Sequence, residues 1–255
     1  MISVRLLGCN GGIGGSARQT TCYLLGDSVL VDAGTGLGTL PLEEMLRIDH
    51  VVLTHAHLDH IACLPLLVDS VAGQRNTPIQ VWALPEVIDI LASHIFNDKI
   101  WPDFTKIPTA DKPFMQLNTL PVPLELDGLR ITSLPANHGI PACGLRVESG
   151  GAAVAFSGDT CDCPEFWAAL DKDEALRAVI VECSYPQSMK ELALVSMHLD
   201  TATLLPRLAA LPKQAAAVIV HRKPGLEQRI AEELTAGLTG RDLRLPASGE
   251  RYRFD

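Results

Sequence analysis

Apolar residues recur along this chain in short runs separated by glycine and polar turns. In the first third, residues 2–7, 22–25, 29–31 and 51–54 each read as a strand bounded by turn residues. Residues 58–71 are long enough for a helix and apolar around most of its circumference, and residues 85–96 give a second helix, with a strand at 79–82 between them. Residues 97–121 are proline-spotted and irregular, with Trp101, Phe104 and Phe114 among polar neighbours. They read as a pocket wall, a lid or an interface, and the aromatics either serve that surface or pack in the core.

From residue 129 the pattern repeats. Strands are expected at 129–133, 144–147, 153–157, 178–182 and 218–220, and helices at 201–211 and 226–237. Strands and helices thus come in two similar successive halves, which suits two sheets packed together with helices outside. No sequence repeat of fixed period accompanies this.

With 47% hydrophobic residues, the 255-residue chain can bury one substantial core, and one compact domain over residues 1–255 is expected. The formal charge of −9 argues against a protein that grips long nucleic acid through clustered Lys and Arg, and favours a small substrate. Bound divalent cations would add positive charge that this count omits. Seven cysteines, an odd and scattered number, read as reduced thiols; Cys161-Asp-Cys163 lacks the second Cys/His pair of a structural zinc site. The opening residues read directly as a strand, without a secretory leader, and no apolar run spans a bilayer. The expectation is a cytoplasmic protein with no membrane partner. Gly-rich residues 8–15 read as a plain loop, since no Gly-Lys-Ser/Thr follows.

The chemistry concentrates in Thr54-His55-Ala-His57-Leu-Asp59-His60, where a predicted strand gives way to a helix. Imidazole nitrogen and carboxylate oxygen suit zinc, manganese and iron, and a turn after a rigid strand can aim alternating side chains at one point. Isolated histidines are usually satisfied structural groups, as His50 and His94 are read here, but three histidines and an aspartate this close point to a metal.

His55-x-His57-x-Asp59-His60 resembles the signature of the metallo-β-lactamase superfamily, and Val31-Asp-Ala-Gly34, Asn137-His-Gly139, Ser157-Gly-Asp-Thr160 and Val220-His221 continue the resemblance in order. It implies an α/β fold, an αββα sandwich of two packed β-sheets flanked by helices. It also implies two divalent cations, Zn2+ first, with Mn2+ or Fe2+ as alternatives. His55, His57 and His138 would hold one, Asp59, His60 and His221 the other, with Asp159 bridging and Asp32 supporting the histidines from behind.

A finer resemblance is to the class II cyclic-nucleotide phosphodiesterases. It rests on residues 55–70, on His94-Ile-Phe-Asn97 with Ile100-Trp-Pro-Asp-Phe104, and on Glu182-Cys-Ser-Tyr-Pro186, Ser196-Met-His-Leu199 and His221-Arg-Lys-Pro224. Cys63, Pro65, Met197 and Arg222 depart from the commoner residues beside these motifs. The resemblance implies a cyclic nucleotide (cAMP or cGMP) or another small phosphodiester as substrate, opened to a nucleoside 5′-monophosphate by hydroxide shared between the metals.

Asp59 is then catalytic through the metal it holds, while His198, oriented by Glu182, is the candidate proton donor to the leaving oxygen. The other reading makes His198 merely a helix-start residue. Arg222 and Lys223 either face the phosphate or are surface charge. The same cluster also serves thioester, lactone and β-lactam cleavage and the 3′ processing of transfer RNA, and a non-catalytic metal-binding protein is a further alternative. Dimeric relatives imply a homodimer, with residues 97–121 as an interface.

Overall fold

The computed structural model describes residues 1–15 and 17–255. Its first half supplies β1 (Ile2–Gly8), β2 (Cys22–Leu25), β3 (Val29–Val31), α1 (Leu42–Met45), β4 (His50–Val52), α2 (Leu58–Ile61), α3 (Leu64–Val71), β5 (Ile79–Ala83) and α4 (Pro85–Ile90). A small hairpin, β6 (Pro108–Thr109) and β7 (Lys112–Pro113), precedes β8 (Met115–Thr119). The second half runs β9 (Leu124–Leu126), β10 (Leu129–Pro135), β11 (Cys143–Ser149), β12 (Ala152–Phe156), α5 (Pro164–Leu170), β13 (Leu176–Glu182), α6 (Lys190–Val195), α7 (Thr201–Ala210), β14 (Ala216–Val220), α8 (Glu227–Gly237), β15 (Leu243–Arg244) and β16 (Arg251–Phe254).

The strands form two seven-stranded sheets, ordered β16-β1-β2-β3-β4-β5-β8 and β9-β10-β11-β12-β13-β14-β15. Each sheet has three antiparallel pairings followed by three parallel ones. The two halves anticipated from the hydrophobic pattern are therefore two sheets of matching construction. Alternation along the strands divides the side chains between layers. Val4, Leu6, Val31, Val147, Phe156, Ile180 and Val218 fill the space between the sheets. On the outer face of the first sheet, Leu30, Val51 and Val81 meet Leu64 and Leu67 of α3 and Val87 of α4. On the outer face of the second, Val179 and Ile219 meet Phe166, Leu204 and Ile230 of α5, α7 and α8. This is the αββα sandwich.

Several elements differ from expectation. The helix anticipated over 58–71 is two helices, because Pro65 has no amide to bond the Ile61 carbonyl and the Cys63 amide turns instead to the Ala33 carbonyl at 2.9 Å. The helix anticipated over 85–96 ends in a π-turn at Leu91–Ile95, closed by the Phe96 amide on the Leu91 carbonyl. Residues 97–121, expected to be irregular, contain the hairpin and the edge strand β8. Their aromatics are core: Phe104 is buried, and Trp101 and Phe114 pack against the same outer cluster. No helix among the described residues is long and apolar enough to cross a membrane.

Phe156 is fully buried, its ring 5.6 Å from that of Tyr23 in the facing sheet. Phe156→Ala should lower the unfolding free energy by about 3–5 kcal/mol through lost transfer energy and the cavity left behind. Urea titration checks this; a loss below about 1 kcal/mol would show that the inter-sheet layer collapses around the gap.

Candidate metal centre

The functional side chains sit where parallel strands end. Asp32 follows β3, His55 to His60 follow β4, Asp159 follows β12, Glu182 closes β13 and His221 follows β14, while His138 follows β10. Loops at the carboxyl ends of parallel strands are the habitual ligand sites of open α/β sheets. The backbone there is forced. Asp32, Met197 and His221 are three of the five non-glycine residues with positive φ among those described, at 57°, 57° and 56°. Such conformations cost about 1–3 kcal/mol each and persist only where their surroundings over-determine them. Gly158, at φ 59°, turns the chain between Ser157 and Asp159, and a Cβ there would lie 3.0 Å from the Cys143 carbonyl. Gly34 has no room for one either: its Cβ would lie 2.2 Å from the Asp59 carbonyl oxygen.

Three groups of side chains converge among the described residues; one is Glu182, His198 and His221, and the other two share Asp159. His55, His57, His138 and Asp159 form one; Asp59, His60, Asp159 and His221 form the other; within each, the donor atoms lie within 4.8 Å of one another. Asp159 belongs to both, with Oδ1 3.3 Å from His60 Nε2 and Oδ2 3.4 Å from His221 Nε2 and 3.7 Å from His55 Nε2. His57 Nδ1 faces His138 Nε2 at 3.1 Å, and His221 Nε2 faces Asp59 at 3.1 Å.

Hydrogen bonds behind the cluster settle which imidazole nitrogen is available. Buried Asp32 accepts the Thr54 amide and hydroxyl, each at 2.8 Å, and His60 Nδ1–H at 2.7 Å. The Thr54 hydroxyl, having donated to Asp32, accepts His55 Nδ1–H at 3.0 Å. His138 Nδ1–H donates to the Met197 carbonyl at 2.9 Å, a carbonyl aimed by that residue's left-handed backbone. The Nε2 atoms of His55, His60 and His138 are thereby left as lone pairs facing inward. Those of His55 and His60 are fully buried with no hydrogen-bond partner. Buried polar atoms are rarely left so, and a cation fits them: nitrogen and carboxylate donors are the set divalent zinc, manganese and iron accept.

Burial, with His60 beside it, holds His55 well below the ordinary histidine pKa, and burial with His138 lowers His57. Burial opposes ionisation of Asp159 and Asp59, yet the facing His221 and His60 hold both carboxyls well below the usual carboxylate range. Burial also opposes a proton on His60, but Asp159 and Asp32 raise it.

Beside the cluster, buried Glu182 accepts His198 Nδ1–H at 2.8 Å and the Thr160 amide at 2.8 Å on one oxygen, and the Ser184 hydroxyl at 2.9 Å on the other. The His198 ring stacks on that of His221 at 5.2 Å and 25° and lies 5.2 Å from that of His138. Burial pulls the His198 pKa down, but Glu182 and Asp159 raise it above the ordinary value. Lys223 is half-buried and close enough to oppose that rise.

Arg222 is placed elsewhere. Its Nη2 donates to the Pro246 carbonyl at 2.6 Å, and it lines a groove of about 680 Å³ that contains none of the clustered histidines. Cys161 and Cys163 join neither ligand group, and burial raises both thiols, away from the thiolate that binds metal. The Gly-rich loop packs against the His221 turn, with Gly11 donating to the Arg222 carbonyl. Thr54, Ser184 and the Met197 carbonyl had no role assigned from sequence. Period-two alternation places Ser184 on the Glu182 side of the strand end, and only that much was visible beforehand.

The family model for the β-lactamase superfamily domain matches residues 27–222, which span every clustered residue. The chain belongs to the metallo-β-lactamase superfamily. Its convergent histidine and aspartate groups could hold metal ions. Over 54 residues, 21% of the chain, it is 48% identical to 3′,5′-cyclic-nucleotide phosphodiesterase 1 of Saccharomyces cerevisiae, spanning 15% of that protein. Over 207 residues, 71% of the chain, it is 26% identical to a probable 3′,5′-cyclic-nucleotide phosphodiesterase of Yersinia pestis, spanning 59% of it. The crystal structure of unliganded yeast PDE1 superposes with a TM-score of 0.82 at 20% identity, covering 98% of both chains, and shares the fold.

Asp32→Ala removes the acceptor for three donors at once. It should weaken metal binding by about 10–100-fold. Metal content at buffered free Zn2+ or Mn2+ checks this, and an unchanged affinity would mean that the histidines hold their orientation without Asp32.

Proposed function

We propose that the chain is a phosphodiesterase that opens 3′,5′-cyclic nucleotides to nucleoside 5′-monophosphates. The observation that carries this reading is the Glu182–His198 pair, a histidine set against the ligand cluster with its proton-bearing nitrogen held by a buried carboxylate. Hydrolysis of a phosphodiester expels an alkoxide, a poor leaving group that needs a proton donor within reach. The cyclic-nucleotide phosphodiesterase names of the two relatives support the same substrate class.

In this reading His55, His57, His138 and Asp159 hold one divalent cation, and Asp59, His60, Asp159 and His221 a second. Zn2+ is the expected ion, with Mn2+ or Fe2+ as alternatives. When bound, such ions polarise phosphoryl oxygens and bring the pKa of water toward neutrality. Protein groups do the rest. Lys223 offers a point charge to a phosphate oxygen. Doubly protonated His198, its Nδ1–H on Glu182, gives its Nε2 proton to the departing 3′ oxygen, and Glu182 stabilises the imidazolium beforehand. The net charge of −9 favours a small substrate over a long polyanion.

Protein loaded separately with Zn2+ and Mn2+ should convert cyclic AMP or cyclic GMP to the 5′-monophosphate. Cleavage of bis-p-nitrophenyl phosphate alone would keep the diesterase chemistry and reject cyclic nucleotides; no cleavage of either by metal-loaded protein would reject both.

His198→Ala should lower kcat on the cyclic nucleotide by about 10²–10⁴-fold with metal content unchanged. The p-nitrophenyl ester, whose leaving group needs no proton, should lose far less. Equal losses on both substrates would remove His198 from the proton-donor role.

A further inference from the structure

Six imidazoles meet at this centre, and His221 is anchored by none of Thr54, Asp32, the Met197 carbonyl or the Glu182 carboxylate directly. His221 stands in a left-handed backbone conformation at φ 56°, with Nε2 turned toward Asp59 and Asp159. For Nε2 to present a lone pair, the proton must sit on Nδ1, and a buried Nδ1–H needs an acceptor. The acceptor is the Ser184 hydroxyl, 3.0 Å away and fully buried. A hydroxyl has one proton to give. Two acceptors are in reach, Glu182 Oε2 at 2.9 Å and the His221 carbonyl at 3.2 Å. The carboxylate is nearer and, being charged, the stronger acceptor.

The chain of donors that results has one direction: His221 Nδ1–H to Ser184 Oγ, Ser184 Oγ–H to Glu182 Oε2, while Glu182 Oε1 takes His198 Nδ1–H. The first sheet contains the same construction. There His55 Nδ1–H reaches Thr54 Oγ1, whose proton goes to Asp32 Oδ2, and Asp32 also takes His60 Nδ1–H. Each sheet thus contributes one buried carboxylate that fixes two histidines, one directly and one through a hydroxyl. In the first sheet both histidines are proposed ligands. In the second, one is a proposed ligand and the other the proposed proton donor, so a single carboxylate ties the two functions together.

We infer that Ser184 is a positioning residue that fixes His221 as a metal ligand and joins it to the Glu182–His198 pair. This rests on the reading of His221 as a ligand. It assigns to Ser184 a defined effect: loss of its hydroxyl frees the His221 ring to rotate or change tautomer, which weakens one cation and leaves the His55, His57 and His138 group intact.

The test is cation binding to the full chain at buffered free Zn2+ and Mn2+, for wild type, Ser184→Ala and Ser184→Thr, with the histidine tautomers of Zn2+-loaded wild-type protein read by ¹⁵N NMR. Wild type should bind two cations. Ser184→Ala should lose about 10–100-fold in affinity for one of them and keep the other, and Ser184→Thr, which retains the hydroxyl, should restore most of the loss. In the wild-type spectrum His221 should carry its proton on Nδ1, a readout independent of whether either variant folds. Wild-type affinity for both cations in Ser184→Ala, or a His221 without a proton on Nδ1, would overturn the role of Ser184 alone. A wild-type chain that takes up no cation would overturn the proposed function and this inference with it.

Discussion

Imidazoles that converge inside a protein repel one another when protonated and lose their hydrogen bonds to water when neutral. The arrangement here is governed by how that conflict is resolved. Each inward-facing nitrogen of His55, His60, His138 and His221 is matched by an outward Nδ1–H with a fixed acceptor: Thr54, Asp32, the Met197 carbonyl and Ser184. That leaves lone pairs and two carboxylates facing a common centre, a set that is satisfied by cations and by little else. Holding these rings in place before any cation arrives limits the reorganisation that binding demands.

The fold supplies the rigidity this needs. Both sheets end their parallel strands at the same place, so that residues far apart in sequence, such as Asp59 and His221, reach within 3.1 Å. The cores between and outside the sheets fix the strands, and the strands fix the backbone of the turns that follow. The left-handed conformations at Asp32, Met197 and His221 are tolerated because hydrogen bonds on either side hold them. Stability built in the three apolar layers thus offsets strain at the centre.

Much of this was legible in the sequence, for identifiable reasons. Strands and the longer helices follow from hydrophobic periodicity, which reports burial directly. The cluster of donors was visible because four of them lie within six positions, and the residues that join it in the fold through motifs in a fixed order. The break at Cys63 was not, since it depends on the Ala33 carbonyl, contributed by a distant turn; nor was β8, whose short alternation is hidden among prolines. Arg222 was open between facing the phosphate and surface charge, and it is neither exposed nor beside the cluster: past the left-handed turn at His221 its guanidinium goes to the Pro246 carbonyl. Thr54 and Ser184 stood inside the motifs without a role, because a hydroxyl has no pattern of its own. Its role exists only once a histidine and a carboxylate are placed on either side of it.

The most direct test of this account is the anomalous scattering of crystals grown or soaked with Mn2+. Two peaks should lie about 3.5–4 Å apart, one among His55, His57 and His138 and one among Asp59, His60 and His221, with Asp159 between them. A single peak, or peaks away from these residues, would contradict it.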